Sequence, residues 1–237
     1  MKYCIVELYS QTATFRNPEF QNYHKTFALP PPTTLVGLAG AAMGLSPNAA
    51  QAFFSSSPFQ MGIYGQHQGK TTDLWKYDAF KNRSIVLREM LIGNHFVLVY
   101  GSEEEEKIEL LASGFAAPVY ALTMGSSDSL AKVIHCEVDE VPLVKSTTVA
   151  YCLLAGDIIK EVMQNASAQP EFSIYATTDP IALDVPTHFQ YESDYGARSV
   201  SQRQLLSFVG REMELNVKKE GIQYQDKFIP LFDYNSN

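Results

Sequence analysis

Apolar and polar residues alternate at the start of the chain, and this period of two predicts a β-strand from Lys2 to Tyr9. The two faces of that strand would carry Cys4, Val6 and Leu8, and Tyr3, Ile5, Glu7 and Tyr9. Runs rich in β-branched and aromatic residues predict three more strands, over residues 59–64, 85–100 and 133–138. The first part of the chain is therefore expected to contain a sheet of at least four strands.

The period changes to that of a helix directly after three consecutive prolines. Pro30, Pro31 and Pro32 each fix φ and hold the preceding residue in an extended conformation, so we expect a helix after them with Thr33 or Thr34 as its N-cap. The apolar residues that follow at helical spacing are Leu35, Leu38, Ala39, Ala42 and Met43. The free N–H groups at such a helix start can hold a phosphate, or the helix can dock on the sheet without a ligand.

Two further helices complete the pattern of the first part. One is predicted over residues 48–54, and one over residues 103–113 with Ser102 as N-cap and Gly114 just beyond its end. The order of elements is then β-α-β-β-α-β, which is the ferredoxin-like arrangement that RNA-recognition modules also have. We therefore predict an α+β protein whose residues 1–145 form a ferredoxin-like (RRM-like) domain.

Residues 146–237 indicate a smaller β-rich region that packs on this domain. Its predicted strands cover residues 149–154, 172–176, 188–191, 205–209 and 228–232, and a short helix is predicted over residues 157–165. This half is acidic, so we expect its surface to face solvent or protein partners.

Residues 65–84 form a polar insertion between two predicted strands, and they contain the only Trp of the chain. Cations for phosphates and flat rings for unstacked bases are what single-stranded RNA requires. The insertion carries Lys70, Trp75, Lys76, Tyr77, Phe80, Lys81 and Arg83. The alternative is that its aromatic residues cover a local hydrophobic cluster under a loop.

Composition and charge limit the possible functions. The chain has 237 residues, 46% of them hydrophobic and 19% charged, as is typical of a globular protein, and it has no apolar run of the roughly 20 residues that a membrane span needs. The net charge is −8, but residues 1–100 carry eight Lys and Arg against five acids. We therefore expect a weakly basic face that binds a particular RNA within a larger assembly and binds free nucleic acid poorly.

No cofactor or metal site is predicted. The three cysteines are far apart, which is typical of reduced thiols in a cytoplasmic protein, and the start of the chain has no signal-peptide pattern. The consecutive acids Glu103–Glu106 splay around a helix axis and cannot converge on one cation, whereas they suit the helix dipole.

Several segments together resemble CRISPR-associated protein family 5, a family within the RAMP superfamily. They are Arg16-Asn17-Pro18, His24-Lys25, the stretch TFALPPPTTLVGLAGAAMGLS at residues 26–46, Arg88-Glu89-Met90-Leu91-Ile92 and residues 117–128 with their Gly125 turn. The resemblance covers about the first 145 residues and is most specific at the proline-to-helix segment. It also implies a ferredoxin-like fold.

The resemblance implies a non-catalytic subunit of a type I Cascade surveillance complex, most like the type I-B form, that binds the 5′ handle of the guide RNA (crRNA). Its partners would be the repeated backbone subunit and the large subunit, with target DNA contacted only indirectly. The insertion at residues 65–84 would be the thumb, a hairpin that wedges across the guide RNA. The predicted RNA-binding residues are Arg16, His24, Lys25, Thr33, Thr34, Lys70, Trp75, Lys76, Lys81, Arg83, Arg88 and Ser126.

Two other functions stay open at this stage. One variant of the family is similar to a metal-independent endoribonuclease, and Tyr23, His24 and Lys25 offer a base, an acid and a cation for such a reaction. Neighbours on an extended chain point to opposite faces, however, which disfavours a joint site. The other possibility is a ferredoxin-like protein-interaction module without an RNA role. Ser126 stands where the family loop often has Arg, so a phosphate clamp at Gly125 is less favoured than an ordinary turn.

Overall fold

A computed structural model of the chain describes residues 1–20, 23–79, 82–159 and 180–236. The strands are β1 (Lys2–Ala13), β2 (Tyr23–His24), β3 (Gln60–Gln66), β4 (Gly69–Ala79), β5 (Asn82–Ser102), β6 (Ala131–Asp139), β7 (Leu143–Val149), β8 (Cys152–Ala155), β9 (Ile181–Tyr191), β10 (Arg198–Val209), β11 (Met213–Tyr224) and β12 (Lys227–Asp233). The helices in these ranges are α1 (Pro32–Met43), α2 (Pro47–Ser55) and α3 (Glu105–Ala116). The described residues thus form a mostly β, α+β fold.

The sheet is built around β1. Strand β1 pairs with β5 on one side and with β6 on the other, and β3 pairs with the far edge of β5, all antiparallel. The order β6-β1-β5-β3 continues through β12, β11 and β7. The C-terminal strand β12 therefore joins the sheet directly next to β3, at Leu231↔Gly62 and Phe232↔Met61.

Strand β1 is buried on both faces from Tyr3 to Val6. On one face Cys4, Val6 and Leu8 pack into the main core with residues of α1 and α3, such as Leu35 and Leu111. Because burial of apolar area is the main stabilising contribution to a fold, this face holds the three helices against the sheet.

The opposite face of β1 is covered by strands from the C-terminal half. Tyr3 and Ile5 pack there against Ile222, Tyr224 and Ile229. The second half of the chain therefore completes the sheet and covers its other face.

The first helix begins earlier than expected. Helix α1 starts at Pro32 with Pro31 as its N-cap, and no side chain caps it, so the expected cap at Thr33 or Thr34 is wrong. Proline suits the first helical position because its φ is already helical and its missing N–H would have had no partner there. Both threonines lie inside the first turn.

The third helix begins and ends at other residues than the sequence predicted. It begins at Glu105 with Glu104 as N-cap, while the Ser102 hydroxyl accepts the Glu104 N–H at 3.1 Å. Gly114 lies inside this helix, not beyond it. A Cβ at Gly114 would lie 2.9 Å from Cγ of Met43, so the glycine lets α3 approach α1 closely.

Residues 65–84 lie largely within a long β-hairpin. Strands β4 and β5 pair from Gly69↔Ile92 to Ala79↔Asn82, and the tip at residues 80–81 lies outside the described residues. Strand β5 is 21 residues long, so it begins before residue 85 and continues the hairpin into the central sheet.

The predicted strand over residues 172–176 and most of the predicted helix over residues 157–165 lie outside the described residues. None of the helices in the described ranges has the length and apolar character that crossing a membrane requires.

Candidate nucleic-acid interface

Arg88 lies at the base of the hairpin and is almost fully enclosed, with 4% of its surface exposed. Its guanidinium donates hydrogen bonds to the carboxylate of Asp128 at 3.1 and 2.7 Å and to Asp73 at 2.7 Å. It also lies 5.2 Å from the ring centroid of Trp75. One buried cation therefore connects β4, β5 and the loop that follows Gly125.

These hydrogen bonds favour the charged forms of Arg88 and Asp128. The hydrogen bond to Asp128 raises the pKa of Arg88, against the opposing effect of burial, and the same bond lowers the pKa of Asp128 to about 2. Arg88 is charged and has two carboxylate partners. The sequence predicts Arg88 as an RNA-binding residue, and in the structure its guanidinium contacts Asp73, Asp128 and the ring of Trp75.

Trp75 and His24 occupy the same face of the hairpin as Arg88. Residues that lie directly opposite in an antiparallel pair share a face, and Asp73 is opposite Arg88 while Trp75 is opposite Val86. The imidazole of His24 meets the indole edge-to-face at 5.7 Å. Trp75 is 42% exposed, whereas His24 is only 7% exposed.

Burial lowers the pKa of His24, and the charges of Arg16 and Arg88 lower it further. A neutral imidazole is therefore favoured on this face near neutral pH. His24 is largely buried against the edge of the tryptophan, and its predicted contact with RNA stays a prediction.

The segment after β1 is fastened to the hairpin by hydrogen bonds. The Thr14 hydroxyl donates to the Glu89 carbonyl at 3.0 Å, the Thr26 N–H donates to the Glu89 carboxylate at 3.0 Å, and the Phe15 N–H donates to the Thr26 hydroxyl at 2.7 Å. These hydrogen bonds hold a turn in which the side chain of Arg16 is exposed.

Lys25 lies close to this turn, and its ammonium is 5.3 Å from the centroid of the Phe20 ring. Tyr23, His24 and Lys25 do not converge. His24 lies opposite Arg88 and contacts Trp75, while Tyr23 lies opposite Leu87, whose side chain is on the other face of β5.

The Gly125 loop is built against the end of β1. Gly125 has φ +91°, and a Cβ there would overlap the Thr14 carbonyl oxygen at 1.8 Å, so only glycine fits. The Thr14 N–H donates to the Met124 carbonyl at 3.0 Å. Ser126 donates to Asp128 and contacts the Ser129 hydroxyl at 3.2 Å. Its hydroxyl is thus engaged within the loop.

The other predicted cations of the hairpin lie on its second face. Lys70 and Lys76 are exposed there, beside the exposed apolar side chains of Leu74, Ile85 and Leu87. Lys81 lies outside the described residues, and Arg83 belongs to β5 but its side chain is not described.

Thr33 and Thr34 line a cavity of about 420 Å³ between the start of α1, the Gly125 loop and the strands β9 and β10. Trp75 and Arg88 are not among its lining residues. The predicted set is therefore divided between the hairpin, the segment after β1, the Gly125 loop and this cavity. Arg198, which also lines the cavity, was not predicted as a site residue.

Comparison with known proteins places the chain in a family. The model of a family described as CRISPR-associated protein (Cas_Cas5) matches residues 3–214, so the chain belongs to this family. The resemblance found in the sequence is thus confirmed, and it extends well beyond residue 145. A search of the curated proteins found no match.

Solved structures similar to this one include a CRISPR protein from Archaeoglobus fulgidus, at 10% identity over 98% of this chain and 99% of that chain, with a TM-score of 0.51. A chain of a CRISPR RNA-guided surveillance complex has 13% identity over 90% of each chain, with a TM-score of 0.49. A Cas protein has 18% identity over 53% of this chain and 57% of that chain, with a TM-score of 0.37.

Proposed function

We propose that this protein is a non-catalytic, RNA-binding subunit of a type I CRISPR Cascade complex that binds the 5′ handle of the guide RNA. The observation that carries the proposal is Trp75, which is 42% exposed on a long hairpin and is held from behind by His24 and Arg88. Membership of the CRISPR-associated family supports it.

The geometry around Trp75 suits base stacking. A ring that is fixed before binding loses little conformational entropy when a base stacks on it, and base–aromatic stacking contributes about 1–3 kcal/mol per base. Arg88 and His24 supply that fixation, and the carboxylates of Asp73 and Asp128 hold Arg88 in place.

Exposed cations lie near Trp75 and on the opposite face of the hairpin, although the whole chain is acidic. Arg16 lies on the turn after β1, and Lys70 and Lys76 lie on β4. A few cations on an acidic body favour a specific RNA segment presented by an assembly over free nucleic acid, because counterion release grows with the number of phosphate contacts.

We also propose the ferredoxin-like class for the first part of the chain. The strand order β6-β1-β5-β3 supports it, together with α1 between β1 and β3 and α3 between β5 and β6. The partners we propose are the Cascade backbone subunit and the large subunit, in the type I-B form, with target DNA contacted indirectly.

The absence of catalysis is part of the proposal. It is supported by the separate surroundings of Tyr23, His24 and Lys25. Incubation of the protein with a repeat-containing precursor RNA in EDTA tests it, and we expect no cleavage. Site-specific cleavage that His24→Ala removes would identify a metal-independent endoribonuclease instead.

The RNA-binding proposal is tested with the double variant Trp75→Ala, Lys76→Ala. Binding of a labelled RNA that carries the handle would be measured by fluorescence anisotropy, and we expect a loss of roughly 2–3 kcal/mol with a shallower salt dependence. The matched control is Lys145→Ala, which removes an exposed lysine that pairs with Glu220 at 3.5 Å outside the hairpin.

Thermal unfolding of the same preparations separates binding from folding. Residues 71–76 of β4 are exposed, so we expect both variants to unfold within a few degrees of the parent protein. If the double variant binds the handle as tightly as the control does, Trp75 is not a binding platform and the proposal is wrong.

A further inference from the structure

The cavity beside α1 has features that the proposed function does not use. Its lining includes the first turn of α1, the Gly125 loop and the strands β9 and β10, and its volume is about 420 Å³. Thr33 and Thr34 stand on one side, and Phe189 and Arg198 on another. It therefore brings hydroxyls, aromatic rings and a cation from both halves of the chain to one place.

Phe189 forms a rigid platform in this cavity. The Gln51 side chain donates to the Phe189 carbonyl at 2.8 Å and accepts the Phe189 N–H at 2.7 Å, which joins α2 to β9. Tyr191 packs edge-to-face on the Phe189 ring at 6.2 Å. The ring is thus held through both its backbone and its neighbours.

The guanidinium of Arg198 lies 4.4 Å from the centroid of the Phe189 ring. Arg198 is exposed and forms no ion pair with any residue in the described ranges. Of the nearby acids, Asp194 accepts a hydrogen bond from Asn48 at 3.4 Å, and Glu192 lies in the same turn with its side chain exposed. Tyr195, at 75% exposure, is also part of the lining.

We propose that this cavity binds a single unpaired nucleobase of an RNA, held between Arg198 and Tyr195. The proposal rests on the proposed RNA-binding function and adds a second, separate contact to the hairpin. A base has a flat π-face and a hydrogen-bonding edge. The cavity matches both, because the planar guanidinium and the phenol ring can stack and the hydroxyls of Thr33, Thr34 and Thr123 can pair with the edge.

The charges favour a base over a phosphate as the bound group. Arg198 is a single cation with Glu192 and Asp194 in the adjacent turn, so the local field does not strongly attract an anion. The planar Arg198 guanidinium, which lies over the Phe189 ring, is suited to stacking, which needs no net attraction between charges. We therefore expect stacking of the base to contribute most of the binding free energy.

The probe for the test is a labelled eight-nucleotide single-stranded RNA of the handle type, used with the full chain. We expect Arg198→Ala and Tyr195→Ala each to weaken binding roughly tenfold, and Arg198→Lys to weaken it nearly as much, because an ammonium keeps the charge but not the planar surface. Arg211→Ala is the matched control, since Arg211 is an exposed arginine of the same half that does not line the cavity.

Ultraviolet crosslinking to RNA followed by mass spectrometry gives an independent measurement. We expect a crosslinked base on the peptide that contains Tyr195. Variants that bind within twofold of the control, with no crosslink on residues 189–198, would overturn the proposal. If the same variants keep RNA affinity but lose a protein subunit on purification, the cavity is a protein contact and the proposal is equally wrong.

Different results would refute the RNA-binding function proposed for the hairpin and the base site proposed for the cavity. If Trp75→Ala, Lys76→Ala weakens RNA binding but the Arg198 and Tyr195 variants do not, the cavity assignment alone is refuted. If neither the hairpin variant nor the cavity variants bind the RNA more weakly than the controls do, the proposed function is refuted together with it.

Discussion

Arg88 and Asp128 are 40 residues apart in the chain, yet the guanidinium of one donates hydrogen bonds at 3.1 and 2.7 Å to the carboxylate of the other. This pair joins the hairpin to the Gly125 loop. It also fixes Arg88 against Trp75, so the position of the exposed indole depends on a carboxylate that is not on the hairpin at all.

The first prediction concerns the stability that this pair contributes. Asp128→Asn should lower the free energy of unfolding by about 1–2 kcal/mol, because Arg88 is buried and keeps only Asp73 as a charged partner. Urea denaturation measures the change. The matched control is Asp184→Asn, whose exposed pair with Arg203 at 3.8 Å should contribute less than about 0.5 kcal/mol. Equal effects of the two variants would contradict the role given to Arg88.

The second prediction is a pH dependence of the same pair. The hydrogen bond from Arg88 lowers the pKa of Asp128 to about 2, below its unfolded value of about 3.9. A carboxylate with a lowered pKa in the folded state stabilises the fold above its unfolded pKa and loses that effect as the pH falls through the folded pKa.

The difference in unfolding free energy between the parent protein and Asp128→Asn should therefore be constant above about pH 5 and shrink between about pH 4 and pH 2. Denaturation curves of both proteins at four pH values in this range provide the test. A difference that stays unchanged down to pH 2.5 would mean that the carboxylate is not held by Arg88.

His24 carries the third prediction. Its pKa lies below the ordinary 6.5 because of burial first and then the charges of Arg16 and Arg88. Since Arg16 is exposed, Arg16→Gln removes one charge without disturbing the core, and the pKa of His24 should rise. An NMR titration of the imidazole measures it, with Lys132→Gln on β6 as the control that leaves it unchanged.

The lowered pKa of His24 also makes the stability of the fold depend on pH. Between the folded and unfolded pKa values of His24 the unfolded chain binds more protons than the folded one, so the fold loses stability as the pH falls below about 6.5. His24→Gln should reduce this loss. If the variant shows the full pH dependence of the parent protein, other groups are responsible for it.

The sequence could predict those elements whose pattern is local. The period of two in β1 correctly gave a strand, and both of its faces are buried. The hairpin also joins residues that are near in the chain, since Asp73 and Arg88 are 15 residues apart. Its register could not be read from the sequence, however, because residues 65–84 contain no turn motif such as Asn-Gly.

Such local patterns could not predict the long-range contacts. Nothing in the local sequence of Asp128 distinguishes it from any other loop aspartate, and the pairing of Phe232 with Met61 joins parts of the chain that are far apart. The start of α1 was misplaced for a different reason. The prediction placed all three prolines before the helix, whereas Pro32 occupies the first helical position, where its fixed φ favours the helix.

The last prediction compares two glycines of α1 that face different surroundings. A Cβ on Gly37 would meet no atom within 4 Å, whereas a Cβ on Gly40 would lie 2.6 Å from Cβ of Ala50 in α2. Gly37→Ala should therefore raise the free energy of unfolding by about 0.5–1 kcal/mol, because alanine loses less backbone entropy in a helix. Gly40→Ala should lower it by about 1–3 kcal/mol, because the two helices must move apart. Urea denaturation of both variants decides the matter: if they change stability in the same direction, the close contact of α1 and α2 at Gly40 does not exist in solution.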